Sequence, residues 1–256
     1  VVDNLAFQGS TENDVFYQDM DQMAALSKQA NALNAQIQGV ADAEQKKALR
    51  DQIEVLSQTI KASRAALMRE HSTLFYAALL GVMQETEIPE WLSEADNRIK
   101  FQYYHDHFLD YIDFSDPGII RTPVFHNKMM NYLDKATEQV PDSLMRAAVN
   151  IVELSRANDD VFQYVLVQVL NKYANSEIVC MDKIYVELVM RYYKTGLAYW
   201  TDSAQNAKIV ERGMALAPIV CGQIAPEMCL YDHNFTFPAN RLNEVCLDNI
   251  ESDYTI

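Results

Sequence analysis

The chain has 256 residues, enough to bury a substantial core as one large domain or two smaller ones. Lys and Arg number 21 against 36 Asp and Glu, a formal net charge of −15, so the mean surface field repels phosphate backbones and anionic headgroups and speaks against nucleic-acid and membrane-surface partners. Glycine and proline are scarce at 7 each, which predicts an all-α chain, and no uncharged apolar run approaches the roughly 18–20 residues of a spanning helix.

The chain opens Val1-Val2-Asp3, without an initiator Met, a basic n-region or an apolar h-region, so any export signal is expected to have been removed or to lie upstream. Residues 1–10 form a lead-in that ends on the cap signal Gly9-Ser10-Thr11. Glu12 and Asp14 follow and suit the positive end of a helix dipole. Phe16, Met20, Met23, Leu26, Ala30, Leu33 and Ile37 then recur every three or four residues, one apolar stripe that Gly39 interrupts. Asp42 caps a second helix with the stripe Leu49, Ile53, Leu56, Ile60, Ser63 and Leu67. Residues 11–71 are therefore expected to form a long antiparallel helical hairpin of two helices of roughly 27 residues, each about 40 Å long. Its polar outer face fits either a projecting coiled-coil-like arm or a lid lying across the following helices.

Residues 72–221 read as an irregular helical bundle. Ser72-Thr73 is a fresh cap, and Leu74 to Leu80 is apolar on most sides, hence buried. Ile88-Pro89-Glu90-Trp91 breaks this helix, and from about Ser93 another carries Phe101, Tyr104, Phe108 and Tyr111, ending near Phe114-Ser115-Asp116-Pro117-Gly118. Thr122-Pro123 starts a helix running to about Glu138, and Pro141-Asp142 starts one with Leu144, Ala148, Ile151, Val152 and Leu154 inward. Asn158 to Asp160 cap Val161 to Tyr173, whose Phe162, Val165, Leu166, Val169 and Leu170 mark a buried helix. Two more helices follow, Met181 to Lys194 and Asp202 to Leu216. The regular spacing of helix starts invites comparison with helical repeats, but the helix pairs share no residue-level self-similarity.

Cys180, Cys221, Cys229 and Cys246 are too few and too widely spaced for a disulfide-stapled scaffold and form no C-x-x-C, so they are expected to be buried free thiols. His105-Asp106-His107 with Asp110, Asp113 and Asp116 is the most ligand-like cluster. Positions 105 and 107 lie about 200° apart around a helix, so the two imidazoles cannot share a metal. His107 and Asp110 are placed to meet as a hydrogen-bonded surface pair. Tyr103-Tyr104 and Tyr192-Tyr193 could line a groove, though aromatics at helical spacing more often belong to a core. Phosphate-loop, dinucleotide, esterase and zinc-protease signatures are missing. Asn234-Phe235-Thr236 matches a short glycosylation sequon that also arises by chance. No catalytic, cofactor-binding or metal-ligating residue is assigned, and no cofactor is expected.

The last stretch, 222–256, does not read as helix: Gly222-Gln223-Ile224-Ala225-Pro226, the short segment Met228-Cys229-Leu230-Tyr231, a turn at Asp232-His233-Asn234, and Tyr254-Thr255-Ile256 as the beginning of a strand.

Two segments carry a family resemblance. Phe108 to Pro117, followed by Arg121-Thr122-Pro123-Val124 and later by Leu170-Asn171-Lys172-Tyr173-Ala174, resembles a helical domain of unknown function in envelope proteins of Bacteroidetes-type bacteria, over roughly residues 11 to 221. In that family the helical region precedes a thioredoxin-like domain of the TlpA and AhpC/TSA kind, often behind a lipoprotein or secretion signal. Gly222-x-x-Ala225-Pro226 is similar to the entrance of such domains, Met228 to Tyr231 and the region of Phe235 look like their first hairpin, and Ser252 to Ile256 look like the start of the core strand. The tail thus looks like the start of a truncated thioredoxin-like domain, with the chain's own redox domain expected downstream. Cys229 and Cys246 do not occupy the family's redox positions. The resemblance implies a cell-envelope or periplasmic location and a non-catalytic accessory role, positioning the redox domain or binding its partner or substrate. A stand-alone module that binds a protein or peptide in a helical groove is the alternative, and an enzyme using the region from His105 to Asp116 a third reading.

Overall fold

In the computed structural model, residues 8–224, 226–231 and 244–246 are described. They form an all-α fold with nine α-helices and one two-stranded ladder. The strand expected at Tyr254 to Ile256, the turn at Asp232 to Asn234, Phe235 and the sequon lie outside the described residues.

Helices α1 (Thr11–Gly39) and α2 (Ala43–Glu70) are the expected hairpin. The Ser10 side chain accepts from the Asn13 amide and Asp42 accepts from the Gln45 amide, so each helix begins at its capping residue. The helices are antiparallel, with Ser63 Oγ donating to Gln22 Oε1 across the seam (3.1 Å). They pack chiefly on each other and, at their base, on α3 (Phe75–Met83), where Val15, Tyr76 and Leu80 form a buried cluster with Phe16, Leu67 and Met68. Farther along, the seam is only half-buried, as two helices without a third layer must be. Met20 is half exposed, and the neighbouring Asp19 is buried in its place. The inward positions 16, 19, 23, 26, 30, 33 and 37 keep strict three–four spacing, and hydrophobicity at position 20 does not override it.

Helix α3 lacks a side-chain cap from Ser72 or Thr73. Its first amides, Phe75 and Tyr76, donate to the two carboxylate oxygens of Glu12 at 3.2 and 2.6 Å, so the first turn of α1 caps a helix sixty residues away. A 3₁₀ turn at Glu90–Leu92 leads into α4 (Asn97–Asp106), capped by Asp96. This helix ends well before Phe114. Phe108 is buried from the turns beyond it and Tyr111 is exposed, because successive turns over 107–114 replace the expected helical stripe.

Helix α5 (Pro123–Asp134) begins on Pro123, but the Thr122 hydroxyl donates back to the Ile119 carbonyl instead of capping. Helices α6 (Pro141–Ser155) and α7 (Asp159–Ala174) follow, α7 capped by Asn158. The inward residues of both are buried as expected, apart from the exposed Leu154. Helix α8 (Asp182–Leu188) runs on into a π-helical turn at Val189–Tyr193, and α9 (Ser203–Leu216) is capped by Asp202. Strands β1 (Cys229–Tyr231) and β2 (Glu244–Cys246) pair antiparallel with Cys229 opposite Cys246.

The chain divides into two compact units. One takes in residues up to Gln139 together with Asn150–Val165, the other Val140–Val149 and residues from Leu166 onward. Phe125, Met129 and Leu133 are fully buried in the first, and Ile184, Leu188 and Tyr192 in the second. Among the described residues no helix is long and apolar enough to cross a membrane.

The expectation of free thiols is overturned. Cys180 pairs with Cys221 (Cα–Cα 5.3 Å) and Cys229 with Cys246, leaving no free cysteine. Pairing depends on where the chain returns, and sequence separations of 41 and 17 residues conceal it. Cys180 also holds a left-handed backbone, φ 72°, unusual for a residue with a Cβ.

Candidate functional site

The first unit carries a cleft of about 600 Å³ lined by α2, α3, the segment after α3 and the end of α4. Its apolar floor is Met68, Leu80 and Met83. The amphipathic pattern of α2 turns Lys61 and Arg64 toward the cleft mouth while Ser63 faces the hairpin seam. Lys61 forms an ion pair with Glu87, and hydrogen bonding to that carboxylate holds its ammonium above the usual lysine range.

The wall after α3 is fixed from two sides. Lys128 donates from Nζ to the Gln84 carbonyl (2.7 Å) while its ammonium lies over the Phe108 ring, 4.3 Å from the centroid. Burial pushes that ammonium below its usual pKa, with Glu85 opposing the shift. Thr86 donates from Oγ1 to the His107 carbonyl (3.0 Å). Gly81 permits the close approach of α3 to the turns, since a Cβ there would run into the Tyr111 carbonyl oxygen.

The opposite wall holds Tyr103, His107, Asp110 and Tyr111. His107 Nδ1 and Asp110 Oδ2 lie 2.6 Å apart and partly exposed, the surface pair expected from the sequence, and the imidazole lies against the Tyr103 ring (centroids 4.1 Å apart). Trp91, 76% exposed, stands edge-on to Tyr103.

The rest of the ligand-like cluster does not converge. His105 Nδ1 is 3.0 Å from the Ala136 carbonyl, and its ring stacks on Tyr132. Asp106 accepts from Gln102, Asp113 from the Ser115 amide and hydroxyl, and Asp116 from the Gly118 amide. These are local turn and helix contacts. Tyr104 packs on Phe108, and Tyr192 and Tyr193 are buried core residues. Burial, then the neighbouring Tyr185, pushes the Tyr193 phenol up to about 12.

Among the described residues, one grouping of His, Cys, Asp or Glu places three ligand atoms close enough for a metal: Glu227, Cys229 and Cys246. Both sulfurs are committed to a disulfide and offer no thiolate.

Sequence reasoning missed most of the cleft, since its lysine, methionines and glutamates are ordinary helix residues one by one. Glu12 and Asp19 were legible in principle, the first lying just after a capping serine and the second on the three–four seam.

Fold and cleft together define an all-α domain whose first unit carries an open, mixed-polarity groove. Residues 44–213 match the model of a family described as a domain of unknown function (DUF5106). The match spans well over half of the chain, and the chain belongs to that family. No curated protein and no solved structure matches it.

Proposed function

We propose that the chain is a non-catalytic helical accessory domain of a cell-envelope thiol-disulfide oxidoreductase, positioning a thioredoxin-like domain or holding its partner. The observation that carries this reading is the cysteine pairing. All four cysteines are in disulfides, the state expected in an oxidising compartment rather than in a reducing cytosol. The bridges also occupy the transition from helix to strand. Cys221 is tied to Cys180 immediately before Gly222, and Cys229 to Cys246 across the β1–β2 ladder. That arrangement suits a rigid base from which a redox domain entered through Gly222-x-x-Ala225-Pro226 would be presented. The helical segments quoted above support the same reading by resemblance.

Fractionation of the native cells, with alkylation and peptide mapping under non-reducing conditions, tests it. The protein is expected in the envelope fraction with the 180–221 and 229–246 bridges intact; a cytosolic protein with four alkylated cysteines would contradict the proposal.

The cleft favours a second reading, a stand-alone module that binds a protein or peptide. The exposed Tyr111 of its lining, and the exposed Trp91 packed edge-on against its Tyr103, offer aromatic anchors of the kind that dominate binding surfaces. Under this reading, capture of a partner from envelope extract survives removal of residues 222–256 and is lost on Trp91→Ala with Tyr111→Ala.

A further inference from the structure

One turn beyond the apolar cluster at its base, the hairpin seam carries a polar layer. Asp19, 2% exposed, takes a seam position of α1, and Ser63 takes a seam position of α2. Asp19 Oδ2 accepts a 2.6 Å hydrogen bond from the Tyr76 hydroxyl and forms an ion pair with Arg64, whose Nε stands 3.8 Å away, beyond hydrogen-bonding reach, and is itself buried without a hydrogen-bond partner. Asp19 Oδ1 is buried with no partner. A carboxylate oxygen taken out of water without a donor is costly, and such a group calls for an explanation.

Asp19 lines a pocket of about 200 Å³ together with Gln18, Gln22, Ser63, Glu70 and His71. No lysine or arginine lines it: Arg64, which pairs with Asp19 Oδ2, lines the larger cleft and leaves Oδ1 unpaired. The pocket sits at the C-terminal end of the 28-residue α2, where the free carbonyl ends carry negative partial charge. Two carboxylates, a helix C-terminus and amide and hydroxyl oxygens favour a cation. The volume is below the roughly 300–1,000 Å³ of small-molecule sites and suits a single head group. Among the described residues the one grouping of ligand atoms tight enough for a metal lies elsewhere, at Glu227, Cys229 and Cys246. An organic cation, with several N–H donors spread over a wider shell, fits better.

We propose that this pocket takes the guanidinium or ammonium head of a basic side chain from a peptide or protein partner. Asp19 Oδ1 is its charged acceptor, and Gln18, Gln22 and Ser63 offer neutral ones. The inference stands apart from the oxidoreductase reading, because it rests on the seam and not on the cysteines.

Calorimetric titration and amide chemical-shift mapping of the 256-residue chain test it, with N-acetylarginine amide, N-acetyllysine amide and the uncharged N-acetylcitrulline amide as probes. Shifts are expected at Gln18, Gln22, Ser63 and His71, with at least one cationic probe binding at least about tenfold more tightly than citrulline, about 1.4 kcal/mol. The ratio of arginine to lysine binding tells which head group is preferred. Asp19→Asn should weaken binding by a similar factor. Should that variant fail to fold, Glu70→Gln and Gln22→Ala, at exposed positions, carry the test and should each weaken binding measurably. Equal binding of citrulline, shifts confined to the Lys61–Glu87 cleft, no shifts at saturating probe, or undiminished binding by the variants would overturn the proposal.

Discussion

Glu12 shows how one side chain joins elements distant in sequence. Its position in the first turn of α1 suggests service to that helix's own dipole, yet its two oxygens receive the Phe75 and Tyr76 amides and start α3. Glu12→Ala leaves both amides without an acceptor, and the loss of a cap costs on the order of 1–2 kcal/mol. Urea unfolding should show a lower midpoint with an unchanged slope, and an unmoved midpoint would mean that water replaces the carboxylate at no cost. Tyr193 sets an alkaline limit. Its folded pKa is raised from 10.0 to about 12, so its contribution to stability is intact below pH 10 and is lost as pH rises from there toward 12. A tenfold change in proton affinity is worth about 1.4 kcal/mol, so this residue alone accounts for roughly 2–3 kcal/mol by pH 12. Tyr193→Phe should flatten the fall in stability between pH 10 and 12; an unaltered slope would assign it to the other buried tyrosines, among them Tyr76 and Tyr132, whose phenols burial also raises.

Among the elements, helices were legible wherever a capping side chain and an apolar period coincide. Ser10, Asp42, Asn158 and Asp202 each begin a helix in the structure, and the hairpin needs nothing beyond them and its two stripes. Legibility failed where a tertiary contact does the work of a local one. The turns after Asp106 bury Phe108 without a helix, and α3 borrows its cap. The same cause hid the cysteine pairs, since α8, its π-helical turn and α9 lie between Cys180 and Cys221 and their packing brings the two together. That bridge closes a long loop, for which chain entropy predicts a contribution of roughly 4 kcal/mol. Cys180→Ser with Cys221→Ser should therefore lower the unfolding free energy by several kcal/mol, and more than loss of the bridge across the 17-residue Cys229–Cys246 separation does. A double variant as stable as the parent would show that the packing of α8 and α9 already fixes this region.

For the whole molecule, a composition poor in glycine and proline announces an all-α fold, and the helices of the described residues bear that class out. Of the cleft only Tyr103 and the His107–Asp110 pair were legible, because the rest arises where α2, α3 and the turns after α4 assemble. In the proposed role the chain assists a thiol-disulfide oxidoreductase without performing its chemistry. The most direct measurement compares dithiol-driven insulin reduction by the 256-residue chain with that of the full natural gene product. The account predicts no turnover above the uncatalysed rate for the chain and clear turnover for the gene product; reductase activity in the chain itself, or none in the gene product, would contradict it.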